Sequence, residues 1–183
     1  MPELIRFRGQ VVPHSCYYTL SPDPEAAKAV FEVFEDYWMY GFDPEVGFDA
    51  PLAQPKSIQD LAVCHAHLRP VTFTGNEFKI FRKRNPTKQC WDEWENGAYV
   101  PGKDAPSRKI PHSDEWLIYC VDSNRNACVL AHLQADAHEA CKDGSDFLRN
   151  IMDLASNWFD DSGSYPMSYG ELAGVFHPEW SAG

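Results

Sequence analysis

The chain has 183 residues, 44% of them hydrophobic and 14% aromatic, with a formal net charge of −11. That length suits one domain with a proper core, the apolar content excludes a disordered chain, and no apolar run reaches the roughly 20 residues of a membrane helix. The acidity excludes generic coating of nucleic acid, which needs clustered Lys and Arg.

The charge is nevertheless uneven. Residues 1–62 carry 4 basic and 10 acidic side chains, residues 63–112 carry 9 and 5, and residues 113–183 carry 3 and 12. A basic centre between acidic flanks can bind a polyanion locally. Six cysteines, at 16, 64, 90, 120, 128 and 141, include no Cys-x-x-Cys pair, so reduced thiols in the cytoplasm are expected rather than a disulfide framework or zinc ribbon. Met1-Pro2-Glu3-Leu4-Ile5-Arg6 lacks the charged-then-apolar layout of a signal peptide.

In chain order, Leu4 to Val12 alternates partially and reads as an edge strand. A helix should start at Asp23, with Asp23 as cap and Pro24 at the first helical position, where no amide hydrogen is needed. Ala27, Val30, Phe31, Phe34 and Trp38 form its apolar stripe, and Gly41 suits the left-handed residue that ends it. Residues 42–56 read as loop. Leu61 to Arg69 reads as a strand with Ala62, Cys64, Ala66 and Leu68 on one face and Leu61, Val63, His65 and His67 on the other, because alternate side chains point to opposite sides. Residues 70–112 are broken by Pro and Gly, with a short strand from Glu77 to Phe81 as the one element expected there.

The strongest local signal is a hairpin. Glu115 to Val121 and Ala127 to Leu133 are strands by composition, joined by the turn residues Asp122-Ser123-Asn124-Arg125-Asn126. A second helix is expected after Ser145, with Phe147, Ile151, Leu154 and Trp158 inward. The order strand, helix, strand, hairpin, helix predicts an α+β domain over 1–160, an antiparallel sheet with helices packed on one side, and a tail over 161–183 ending in Leu172, Val175, Phe176 and Trp180.

Two groups carry candidate chemistry. His65 and His67 share a strand face, and neutral imidazoles serve as proton shuttles or metal ligands; His132 and His138 could converge on them. Lys79, Arg82, Lys83, Arg84 and Lys88 form a basic run without an acidic neighbour, beside Phe81 and Trp91, which suits phosphate contacts and base stacking on RNA. Arg108, Lys109 and His112 make a second basic group. No Gly-rich phosphate loop and no nucleophile elbow is present, and Cys64 falls on the apolar face.

Val63-Cys64-His65-Ala66-His67-Leu68, then Ser113-Asp114-Glu115-Trp116-Leu117-Ile118-Tyr119-Cys120, then Val129 to Leu133 followed by His138, resembles the core of YafO-type toxins. These are ribosome-dependent mRNA interferases related to the RelE group. The resemblance implies a compact RelE-like sheet, a cytoplasmic endoribonuclease working on mRNA in the ribosome without metal or other cofactor, and a cognate antitoxin. It also implies 2′-hydroxyl attack leaving a cyclic phosphate, which needs a base, an acid and cations at the phosphorane. On this chain His65 and His67 would take the acid and base roles, with His112 and His138 in support. Arg82, Lys83, Arg84 and Arg108 would hold phosphate. Pro111-His112 stands where family members tend to carry Arg-Thr. Two other readings remain open on the residues: a non-catalytic acidic binding, immunity or decoy protein of related fold, and a metal-dependent hydrolase built on His65 and His67.

Overall fold

The computed structural model describes residues 5–74, 86–96 and 110–183. Helix α2 (Pro24–Tyr40), preceded by strand β1 (Val11–Pro13) and the single turn α1 (Tyr17–Leu20), begins and ends where local chemistry dictates. The Asp23 carboxylate accepts the Ala26 amide at 3.0 Å, Pro24 opens the helix, and Gly41 closes it at φ 74° with its amide on the Tyr37 carbonyl. Four further strands follow: β2 (Val46–Pro51), β3 (Val63–Leu68), β4 (Trp116–Val121) and β5 (Ala127–Leu133). Helix α3 (Lys88–Glu95) lies between β3 and β4, and α4 (Ala137–Ala140) and α5 (Asp146–Ser162) come after β5.

The fold is α+β, as expected, with one sheet in the order β1-β5-β4-β3-β2. Two details differ from the sequence expectation. The sheet is mixed: β1 runs parallel to β5, while the other pairs are antiparallel. And the helices do not gather on one side. Ala27, Phe31, Phe34 and Trp38 of α2 cover the face bearing Ala62, Cys64, Ala66, Leu68, Leu117 and Tyr119. Leu148, Ile151, Ala155 and Phe159 of α5 cover the opposite face, against Val63, Ile118, Cys120, Cys128 and Leu130. The reason lies in β4, Trp116-Leu117-Ile118-Tyr119-Cys120-Val121, which is buried along its whole length. A strand apolar on both sides has two faces to cover, and each full burial of such a side chain stabilises by about 1.5–3 kcal/mol.

Strand β3 has the expected two faces but starts two residues late. Lys56–Leu61 is a 3-10 turn, and Ala62 sits at φ 48° before the chain extends. The 42–56 segment, read as loop, contains β2. Its Pro51 is tolerated because β2 is an edge, where a missing amide costs no ladder bond. Helix α3 was likewise not expected; Thr87 caps it, accepting the Cys90 amide at 3.3 Å. The proposed strand from Glu77 to Phe81 lies outside the described residues. On α5, capped by Ser145, the buried stripe is centred on Leu148, Ile151, Ala155 and Phe159, with Phe147, Leu154 and Trp158 at its margins.

After α5 the chain returns to the α2 face. Met167, Leu172 and Val175 join that core, and Phe7 bridges to Ser181, so the two terminal segments meet. Arg125 fastens them. Its guanidinium is fully buried, donates to the carbonyls of Val175, Arg8 and Trp38, and lies 4.4 Å over the Trp38 ring and 5.1 Å over Phe7 and Phe176. Among the described residues no helix is long and apolar enough to cross a membrane.

Candidate functional site

Strand β3 places His65 opposite Ile118 and His67 opposite Trp116 in β4. Both rings point to the α5 face, but beyond the part of it that α5 covers. The cover there comes instead from Trp116 itself, from Phe48 of β2, from His112 before β4, and from His138 at the start of α4. The ring of His65 lies 4.2 Å from Trp116 and 5.2 Å from His67, and His67 lies 4.9 Å from His112 and 6.0 Å from His138. Phe48 stacks on His112 at 4.5 Å and 18°, and Trp116 meets His138 edge-on at 4.4 Å. Four imidazoles from three separate segments of the chain therefore form one cluster at one end of the sheet.

Burial divides the four. His67 is 1% exposed, His112 8% and His65 9%, whereas the His138 side chain is 36% exposed. Loss of water disfavours the charged imidazolium, and this is the main reason why His65 is held down to about 4 and His67 to about 2. The neighbouring imidazoles push each lower. Hydrogen bonding to Ala50 opposes the fall for His65 and bonding to Ser113 opposes it for His67. Both rings are thus neutral at ordinary pH.

Either neutral tautomer of His67 is served. Protonated, Nδ1 donates to the Ser113 carbonyl at 2.7 Å; unprotonated, it accepts the Ser113 amide at 2.9 Å and the Trp116 indole N–H at 3.2 Å. In the second case the indole also reaches the Ser113 carbonyl, at 3.1 Å. His65 Nδ1 is buried and has no hydrogen-bond partner among the described residues.

Asp114 and Glu115, adjacent in the approach to β4, each hold a histidine. The Asp114 carboxylate lies 2.7 Å from His138 Nδ1, within the cluster. The Glu115 carboxylate lies 2.8 Å from His132 Nε2, and His132, opposite Leu117 on β5, belongs with the α2 face. His132 is buried there and does not join the other imidazoles, contrary to the convergence entertained from sequence. No group of three His, Cys, Asp or Glu side chains among the described residues is arranged to hold a metal ion.

The expected phosphate partners Arg82, Lys83, Arg84 and Arg108 lie outside the described residues. Arg69, at the end of β3, is already engaged: its guanidinium contacts Asp92 at 2.6 Å, Glu95 at 2.8 Å and Glu45 at 3.6 Å. Cys64 is buried on the α2 face, where burial pushes its thiol well up, as befits an inert core residue. Three members of the cluster escaped sequence reasoning. Phe48 was hidden in the presumed loop, Trp116 read simply as strand, and Asp114 read as part of the lead-in to the hairpin. The Ser113-Asp114-Glu115 step immediately before an apolar strand is the signal that could have drawn attention to Asp114.

No curated protein and no solved structure matches the chain at a significant level. The sequence profile of the family described as "Toxin YafO, type II toxin-antitoxin system" matches residues 36–160, from the second half of α2 to the last turn of α5 and including every member of the cluster. The chain therefore belongs to the YafO family of type II toxin–antitoxin toxins.

Proposed function

We propose that this toxin is a ribosome-dependent endoribonuclease that cleaves mRNA in the cytoplasm and is held in check by a cognate antitoxin. The observation that carries the reading is the convergence of His65, His67, His112 and His138, together with family membership. In the reaction a base takes the proton of an RNA 2′-hydroxyl as its oxygen bonds to the adjacent phosphorus. The bond from phosphorus to the 5′-oxygen breaks, and an acid protonates that oxygen. The products are a 2′,3′-cyclic phosphate and a 5′-hydroxyl.

Two imidazoles can share these tasks. His138 is one of them, since its ring reaches solvent and so reaches substrate. The partner comes from His65, His67 and His112, whose rings lie together beside it. Arg82, Lys83, Arg84 and Arg108 supply the positive charge that the phosphorane requires.

The test is induced expression followed by primer extension on cellular messages, alongside cleavage of mRNA on purified translating ribosomes. The expected result is growth arrest with ribosome-dependent cuts, reduced ~10²–10⁴-fold in His138→Ala, the usual contribution of a general acid or base. Normal growth and intact messages in cells making abundant soluble toxin would overturn the proposal and favour a non-catalytic binding protein.

A further inference from the structure

We infer that Asp114 is a positioning residue that fixes the tautomer and orientation of His138; the functional meaning of this role rests on the ribonuclease reading above, but the role itself does not. Asp114 Oδ1 lies 2.7 Å from His138 Nδ1 and accepts the His138 backbone amide at 3.0 Å. The Asp114 carbonyl also accepts the amide of Ala137 at 3.4 Å. One residue therefore holds the start of α4 and the ring that α4 carries.

An ionised carboxylate offers only acceptors, so a nitrogen 2.7 Å from it must carry the hydrogen. That places the proton of neutral His138 on Nδ1 and makes Nε2 the basic nitrogen. A carboxylate on one imidazole nitrogen sets the state of the other in this way in both metal sites and nucleophile–base pairs. The indole of Trp116 packs edge-on against the ring at 4.4 Å. Both the Asp114 carboxylate (19% exposed) and the imidazole (36%) are at the margin of the cluster, where the pair is partly open to solvent.

The arrangement also explains why Asp114 and Glu115 stand side by side. Successive residues of an extended chain point to opposite faces, so Asp114 takes His138 on one face and Glu115 takes His132 on the other. His132 is buried, and its Nδ1 has no hydrogen-bond partner among the described residues, so the Glu115 pair is enclosed in the core. The two pairs have the same chemistry and different access; only the Asp114 pair can meet a substrate.

Imidazole 15N–1H correlation spectra of the full-length protein test this directly, with His138 assigned by its absence in His138→Ala. Among the described residues, the titratable groups facing His138 include Asp114, His67 and His65, with the Cys141 thiol beside Asp114. The histidines among them are resolved in the same spectra. Wild-type protein is expected to show His138 as the Nδ1–H tautomer. Asp114→Ala, which removes the acceptor of the Nδ1 hydrogen, is expected to move it toward Nε2–H, and ribosome-dependent cleavage is expected to fall at least 10-fold in kcat with little change in KM. A wild-type Nε2–H tautomer would overturn the inference without recourse to any variant. So would an unchanged tautomer in a folded Asp114→Ala protein. Absence of cleavage by wild type, with the tautomer as expected, would instead defeat the ribonuclease reading and leave the placement of the proton intact.

Discussion

Replacing Asp49 by Asn should make folding stability less sensitive to pH. The Asp49 carboxylate accepts the Tyr119 hydroxyl at 2.6 Å on one oxygen and the Tyr37 hydroxyl at 2.8 Å on the other, with no cation beside it among the described residues. Burial raises its pKa from 3.8 to about 6, the two hydroxyls opposing the rise. The sign follows from linkage: an acid whose pKa is raised by folding is fully compatible with the fold below its unfolded pKa, and stability is lost as pH rises through the folded value. Two pH units at ~1.4 kcal/mol each give a loss of about 3 kcal/mol, most of it between pH 4 and pH 6.5. Because residue 49 keeps some exposure on edge strand β2, this is an upper figure. Asn can accept one tyrosine hydroxyl and donate its amide to the oxygen of the other, so the substitution removes the charge and keeps one hydrogen bond to each tyrosine. Urea unfolding of both proteins across pH 4–8 reads the difference. Other raised carboxylates, Glu35, Asp43 and Glu45, affect both proteins alike. The gap between the two curves should therefore widen with pH in favour of Asp49→Asn. Parallel curves would refute the reasoning.

Arg125→Ala removes the donors to three carbonyls and opens a void between Phe7, Trp38 and Phe176. Unfolding experiments should show a loss of about 3–5 kcal/mol, and limited proteolysis should cut first after residue 163. Gly47→Ala should cost about 1–3 kcal/mol in the same measurement. A Cβ there would come within 2.3 Å of the Pro111 carbonyl and 2.8 Å of Trp91, pushing the 110–112 segment from β2 and weakening the stack of Phe48 on His112, which NMR would register at the His112 ring.

What the sequence made legible was whatever local chemistry determines. Asp23, Pro24 and Gly41 define α2 within a residue, because capping and left-handed backbone are properties of a few neighbouring side chains. The hairpin was equally plain, since β-forming residues flank five turn residues. Strand β2 was not, because Val46-Gly47-Phe48-Asp49-Ala50-Pro51 has poor strand composition. It is a strand only because the edge of β3 is there to pair with and because Gly47 lets Pro111 and Trp91 pack against its backbone. The side taken by α5 was illegible for a related reason. Apolar periodicity shows that a helix has a face to bury, and says nothing about which face of the sheet will receive it.

The candidate site shows the same division at finer scale. Alternation along β3 sufficed to place His65 and His67 together, since the period of a strand is fixed by the backbone. It could not show that these two rings would be enclosed, because the enclosure is made by Phe48, His112, Trp116 and His138 from four other segments. That enclosure reverses the weight a sequence reader gives the histidines. The paired rings of β3, conspicuous in sequence, are held neutral and shielded, while His138, distant from them in sequence and on a single helical turn, is the partly exposed imidazole with a carboxylate beside it. The strand pair is packed against Phe48 and Trp116 as part of an aromatic floor, so substitution of His65 or His67 tests the integrity of the cluster as much as its chemistry. His138 and Asp114 are the positions where loss of a proton-transfer group and loss of packing can be told apart, because both lie at the partly exposed margin of the cluster.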